Sequence, residues 1–322
     1  MSFETYPLQF IPIFKERIWG GKKLRTLLNK PISSDTIGES WEISTVEDNV
    51  SVVANGIWKG KKLTELIDHH PSEILGSAVF KKFGNQFPLL FKYIDAKEDL
   101  SIQVHPNNLL AKKRHNSLGK TEMWYIIQAD EDAKIIVGFK EKTDTASYLE
   151  HVKNKKIISL LNIKKVKKGD AFSLESGTIH AIGAGILLAE IQQTSDITYR
   201  VYDWDRIDSN GKSRELHLDL SLDAMNYETF ETQKEYKKEF NKSNEIVNHV
   251  YFTTNFLPIN GTIEKKQNQE SFTVYMCTEG AFEIRYNNLV YNYKKGDTIL
   301  IPANMHSYQI SGNASLLEIY IS

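Results

Sequence analysis

The chain has 322 residues, 41% of them hydrophobic, with 40 basic side chains against 41 acidic ones and a formal charge of −1. At ~150 residues per domain this allows about two domains with full apolar cores. It lacks the cationic excess that a phosphate backbone demands, which excludes a nucleic-acid partner. The longest apolar stretches, 87–91 and 181–189, fall far short of the ~20 residues needed to span a bilayer, so no membrane partner is expected either. The opening MSFETYPLQF carries Glu4 where a secretory leader would be positive, and Lys15, Glu16 and Arg17 end its apolar character. One cysteine, Cys277, excludes an internal disulfide. Both features point to a cytoplasmic protein of the reducing cytosol.

In chain order, helical periodicity marks 22–28 and then 63–83, the latter broken at Pro71. A strand rich in β-branched residues follows at 134–139, a helical patch at 145–161, and strands at 172–174, 186–192 and 197–202. A last helical patch at 221–227 precedes strands at 273–277, 282–286 and 316–320. The pattern predicts a mainly β protein of sandwich or barrel type with small helical decorations. Between Met225 and Asn248 the chain becomes densely charged without Gly or Pro punctuation, which sets a boundary between domains 1–235 and 236–322. A solvated surface helix inside one domain is the other reading of that segment. The tetrapeptide Lys-Lys-Gly-Asp occurs at 167–170 and again at 294–297. Each copy leads into an apolar strand and reaches a histidine about ten residues on, His180 and His306, which predicts two related β units.

The chemistry concentrates around 101–122 and 180. In Ser101-Ile102-Gln103-Val104-His105-Pro106 a strand's period of two places Ser101, Gln103 and His105 on one face, a poor core face that suits a polar cavity. Farther on, Glu122 shares a face with Trp124 and Ile126 and so enters an apolar interior, where a carboxylate must be paired, protonated or metal-bound. His180 arrives from the first Gly-Asp strand. Two imidazoles, a carboxylate and an amide oxygen suit divalent zinc and would also admit manganese or cobalt. A lone buried histidine is more often a hydrogen-bonded core residue, but four such residues all falling on inward strand positions are not explained that way. His69, His70, His115, His151, His217 and His249 have charged or helical neighbours and read as surface residues.

The segments SIQVHPNN, GKTEMWYII, SGTIHAIGAGILLAEIQQTSDITYRVYDWDR and RIWGGKKL resemble the type I mannose-6-phosphate isomerases in their shorter bacterial form, from about Phe10 to about Leu222. The resemblance implies two cupin (jelly-roll) β-sandwich domains, the first holding one Zn2+ per chain on Gln103, His105, Glu122 and His180. It implies Arg200 as an active-site residue contacting substrate, with Lys120 and Glu190 at catalytic positions, Lys120 also near the substrate, and Ser101 as a substrate or phosphate contact. Against the general cupin pattern, Gln103-Val104-His105 replaces His-x-His, and Glu122 stands 17 residues beyond His105. Gly169, Gly177 and His180 fit the second cupin motif, with Glu175 in the usual proline position. In the C-terminal unit Gly296, Pro302 and His306 are kept, but 271–277 supplies no His or Glu cluster, so that unit is expected to lack a metal.

The implied reaction is the aldose-ketose interconversion of mannose 6-phosphate and fructose 6-phosphate through a zinc-stabilised cis-enediol. Only seven of the 40 basic residues are arginine, which makes Arg200 notable. The proton shuttle stays open between Glu190, Lys120 and a zinc-bound water. The rival reading is a cupin that binds a sugar phosphate as a sensor or regulator; it would need the metal and cavity but not Arg200, Lys120 or Glu190. An iron oxygenase is a third reading, and Gln103 in a ligand position argues against it. Oligomeric state is not readable from the sequence.

Overall fold

The computed structural model describes residues 3–207 and 211–322. Three sheets carry nearly all of the architecture. The first has seven strands in the order Gln233–Lys234, Ala171–Leu174, Glu122–Ala129, Ile186–Gln193, Leu89–Ala96, Ile37–Ile43 and Ile13–Gly21. A five-stranded sheet, Leu161–Lys165, Lys134–Phe139, His180–Ile182, Ile102–Val104 and Tyr199–Tyr202, closes over it. The third runs Leu8–Gln9, Thr298–Ile301, Thr273–Tyr286, Ser307–Tyr320, Phe252–Lys266 and Asn244–His249, with Leu289–Lys294 added beside Thr273–Tyr286. All the strand pairs are antiparallel.

Why the central strands read as continuous apolar runs follows from this layering. Strand Ile186–Gln193 is buried at every position because both faces of its sheet are covered. Trp124, Ile126, Phe172 and Leu188 pack inward against Ile135, Val137 and Ile182 of the five-stranded sheet. Their neighbours Met123, Tyr125, Ile127 and Ala189 point the other way, onto Phe256, Val274, Met276, Leu317 and Ile319 of the C-terminal sheet. A second interior, with Leu257, Tyr275, Cys277, Ile299 and Tyr308, lies inside the C-terminal barrel. The helices Leu63–His69, Pro71–Leu75 and Ser77–Phe83 cover the seam through Leu66, Ile67, Ile74, Leu75 and Val79.

The repeated tetrapeptide builds the same turn twice. Asp170 accepts a hydrogen bond from the Lys167 amide at 2.9 Å, and Asp297 from the Lys294 amide at 2.8 Å. Gly169 and Gly296 have φ of 88° and 91°, a backbone conformation that favours glycine, and each donates its amide to a neighbouring strand at 2.8 Å, to Ile126 and Cys277 respectively. The strands that follow are paired in matching register: Phe172 opposite Trp124, and Ile299 opposite Tyr275.

The structure corrects several expectations. Segments 273–277 and 282–286 form one strand, Thr273–Tyr286, bent by a bulge between Cys277 and Glu279. The 63–83 region breaks at Gly76, with φ of 92°, as well as at Pro71. The 145–161 patch ends its α-helix at Lys153 and resumes as a single 3-10 turn, Ile157–Leu160. An unanticipated helix, Asn108–His115, is capped by Asn107, whose side chain accepts from the Leu110 amide at 3.0 Å. The charged 225–248 stretch holds no helix; its short strand Gln233–Lys234 edges the first sheet and Asn244–His249 opens the last. His306 does not stand where His180 does: it is exposed and bonded to Gln269, and Tyr308 takes the inward place.

Candidate metal centre and active-site cleft

His180 sits on an inner strand directly opposite Gln103, and Arg200 lies opposite Gln103 on its other side. Glu122 begins the facing strand of the other sheet. The two sheets thus bring together residues up to 77 positions apart, and one ligand atom from each of His105, Glu122 and His180 lies within 4.8 Å of the others. His105 Nε2 is 3.6 Å and His180 Nε2 3.5 Å from the Glu122 carboxylate, and all three side chains are at most 2% exposed. Gln103 Nε2 donates to His180 Nε2 at 3.2 Å, so a half-turn of its amide would present Oε1 to the same point.

The protonation state follows from the carbonyls behind the rings. His105 Nδ1 lies 2.8 Å from the Ile197 carbonyl and His180 Nδ1 2.8 Å from the Thr178 carbonyl. A carbonyl only accepts, so both Nδ1 atoms carry the proton and both Nε2 atoms offer lone pairs toward Glu122. Burial, reinforced by the Lys120 ammonium, holds the His105 imidazole well below its usual range, and burial pulls His180 down to about 4. Burial pushes the Glu122 carboxyl up, against the pull of Lys120 at 3.3 Å. Both Glu122 oxygens and His105 Nε2 are buried without a hydrogen-bond partner among the described residues. A buried carboxylate whose one compensation is an ammonium at 3.3 Å is left several kcal/mol short by order of magnitude. Two neutral imidazoles and a carboxylate with an amide oxygen in reach fit a divalent cation, which would satisfy all the orphaned atoms together.

Above this floor opens a cleft of about 290 Å³ lined by Ser101, Gln103, Lys120, Glu190 and Arg200. Glu190 accepts from Lys92 at 2.9 Å and from the Trp124 indole at 3.1 Å. Burial alone would raise its carboxyl, but Lys92 and then Lys120 outweigh that and hold it below the usual range. Lys120 shows the mirror balance: burial works against its charge, and Glu122 and Glu190 prevail and raise it. Arg200 does not pair with Asp203 or Asp205. Asp203 is held by Arg206 and Arg214, and Asp205 by Lys155, while among the described residues the Arg200 guanidinium donates to the Glu215 carbonyl at 2.7 Å and its buried Nε has no partner.

Sequence reading missed Lys92, Glu39, Trp41, Asp196 and Arg214, which also line the cleft. Lys92 had a signal, being the one cation inside the buried run Leu89–Ala96. Arg17 and Trp19, within the RIWGG segment, complete the rim.

A jelly-roll interior with two imidazoles and a carboxylate beneath a cationic cleft defines a cupin with a metal-competent centre. Comparison with known proteins narrows the class. Residues 8–142 match the catalytic domain of type I phosphomannose isomerase, and 242–321 match the mannose-6-phosphate isomerase cupin domain. The mannose-6-phosphate isomerase ManA of Bacillus subtilis is 39% identical over 97% of this chain and 98% of its own. The Streptococcus mutans mannose-6-phosphate isomerase is 37% identical over 94% of each chain. A crystal structure of the Bacillus subtilis mannose 6-phosphate isomerase superposes with a TM-score of 0.90 at 38% identity, covering 99% of this chain and 100% of that one. The chain belongs to the type I phosphomannose isomerase family.

Proposed function

We propose that this protein is a zinc-dependent, cytoplasmic isomerase that interconverts mannose 6-phosphate and fructose 6-phosphate through a cis-enediol. The observation that carries the reading is the Glu122 carboxylate, buried without a hydrogen bond to either oxygen among the described residues, with the Lys120 ammonium at 3.3 Å and two imidazole lone pairs facing it at the floor of a cationic cleft. Gln103, His105, Glu122 and His180 would hold the ion, one per chain. When bound, it would supply Lewis-acid polarisation of the sugar's reacting oxygens.

The remaining work belongs to the chain's own side chains. Moving the carbonyl between C1 and C2 requires a proton to leave one carbon and return to the next. Glu190, kept ionised by Lys92 and Lys120, offers an accepting oxygen in the cleft; Lys120, kept protonated by Glu122 and Glu190, offers a donating Nζ. Arg200, whose Nε has no partner among the described residues, directs a planar fork of donors at the charge that develops on the enediolate. Ser101, buried at the cleft wall, supplies a hydroxyl to the substrate. A coupled assay with mannose 6-phosphate, run after chelation with and without added zinc, tests the reading. Turnover restored by zinc is the expected result. Tight binding of mannose 6-phosphate without turnover would replace it with the sensor reading.

A further inference from the structure

The C-terminal barrel repeats the first barrel's cleft position by position. Counting from the two aspartates of the repeated turn, Trp124 corresponds to Tyr275 and Glu122 to Thr273. Across the next strand Glu190, opposite Trp124, corresponds to Glu318, opposite Tyr275. One strand further, Lys92 opposite Glu190 corresponds to Asn255 opposite Glu318. The side chains repeat the contacts too. The Trp124 indole donates to Glu190 at 3.1 Å and the Tyr275 hydroxyl to Glu318 at 3.1 Å. The His180 ring meets Trp124 edge-on at 77°, and Tyr308 meets Tyr275 at 74°.

The second barrel also opens into a cleft, of about 530 Å³, at this same face. Asn255, Thr273, Tyr308 and Glu318 line it, each more than nine-tenths buried, together with Ser243 and Lys265. The chemistry differs from that of the first cleft. Thr273 replaces the metal-competent carboxylate and Lys265 is neutralised by Glu318, so the buried floor holds no uncompensated charge; Lys266 and Glu270, of opposite sign, stand exposed at the rim. What remains at the floor are hydroxyls and amides, which both donate and accept, beside the aromatic surface of Tyr308. Groups of that kind match a ligand rich in hydroxyls, which also do both.

We propose that this second cleft binds an uncharged polyhydroxylated ligand, a sugar or polyol without phosphate. With the Asn255 amide nitrogen committed to Glu318 and the Tyr308 proton to Tyr275, Asn255 Oδ1 and the Tyr308 hydroxyl oxygen accept its hydrogen bonds at the cleft floor. The inference does not depend on the reaction assigned to the first barrel.

Titration calorimetry and ligand-observed NMR on the full zinc-loaded chain, with D-mannose and D-mannitol as probes, test it. Saturable binding at one site per chain is expected for at least one probe. It should persist in Arg200→Ala and weaken by about tenfold or more in Asn255→Leu and in Tyr308→Phe, the scale of one lost buried hydrogen-bonding group. Near-parent thermal unfolding identifies which of the two variants remains folded, and Tyr308→Phe keeps the ring in place. The proposal is overturned by absence of saturable binding at about 50 mM probe, beyond the millimolar range of weak specific sites. Binding that mannose 6-phosphate displaces and that Arg200→Ala abolishes would overturn it equally, since it would then belong to the first cleft.

Discussion

The two barrels share a frame and differ in how their buried carboxylates are satisfied. In the C-terminal barrel Glu318 is closed: Tyr275, Lys265, Ser243 and Asn255 together donate to its two oxygens. Glu190, its counterpart, is nearly as well served by Lys92 and Trp124. Glu122 has no such set: among the described residues it has one ammonium at 3.3 Å and, facing it, two neutral imidazoles that offer lone pairs. A buried anion satisfied from within holds a fold together, whereas one left open must be completed from outside. Chemistry is therefore assigned to the first barrel by what its interior lacks.

The largest expected effect lies in the open carboxylate and its partners. His105→Ala, Glu122→Ala and His180→Ala should each lose bound zinc and reduce turnover to background, about 10³-fold or more, while the chain stays folded. Thr273→Ala, at the position matching Glu122, should change neither. Metal analysis of purified variants checks both halves, and parent-level zinc in the first three would break the contrast. Next comes Arg200→Ala, expected to lower kcat by about 10²-fold with zinc content intact and KM little changed, the scale of one preorganised donor. Arg200→Lys should recover only part of that loss, because a point charge does not replace the fork. A loss confined to KM would show that Arg200 positions the sugar and does no more.

A smaller effect, on stability alone, is expected from Glu318→Gln. Lys265 is 21% exposed, so the loss should be about 2 kcal/mol, below the full cost of orphaning a wholly buried charge. Burial opposes the charge of Glu318, but Lys265 prevails and holds its folded pKa below the usual range. The folded chain therefore binds that proton less readily than the unfolded chain does. The stabilisation is fully present above the unfolded value of about 4.3 and disappears as pH falls through the folded one. Denaturant titrations across acid pH should show a shallower fall in stability for the variant than for the parent. The smallest effect belongs to His306→Gln, which should leave zinc, turnover and stability within about 0.5 kcal/mol of the parent, as an exposed position permits. A second stoichiometric metal removed by that change would erase the distinction between the barrels.

Much of the candidate site was legible because a strand sorts residues by parity. Ser101, Gln103 and His105 alternate with apolar residues, and Glu122 alternates in phase with Trp124 and Ile126, so one rule placed them on inner faces. Counting was less reliable across turns. His306 stands nine residues beyond Asp297 and His180 ten beyond Asp170, yet the longer turn through Pro302 and Met305 delivers Tyr308 inward. Lys92 escaped because its importance lies in a partner remote in sequence, Glu190, and Arg214 because the loop that folds it back onto Asp203, 11 positions away, has no strand or helix period to announce it. The strand Leu8–Gln9 escaped for the same reason as Lys92, pairing as it does with Thr298–Ile301.

That last pairing bears on how the chain assembles. Leu8 sits opposite Leu300, and the buried Lys30 donates to the Gly296 carbonyl, 266 positions away, while bridging to Glu42 at 2.6 Å. Leu8 thus cannot reach its native partner until the chain has been made through Leu300. Until then Leu8 and the apolar edge it covers stay exposed, a kinetic hazard of distant β pairing. Refolding from denaturant should accordingly be slow, and protection of the Leu8 and Leu300 amides in pulsed hydrogen exchange should arrive together, among the last to form.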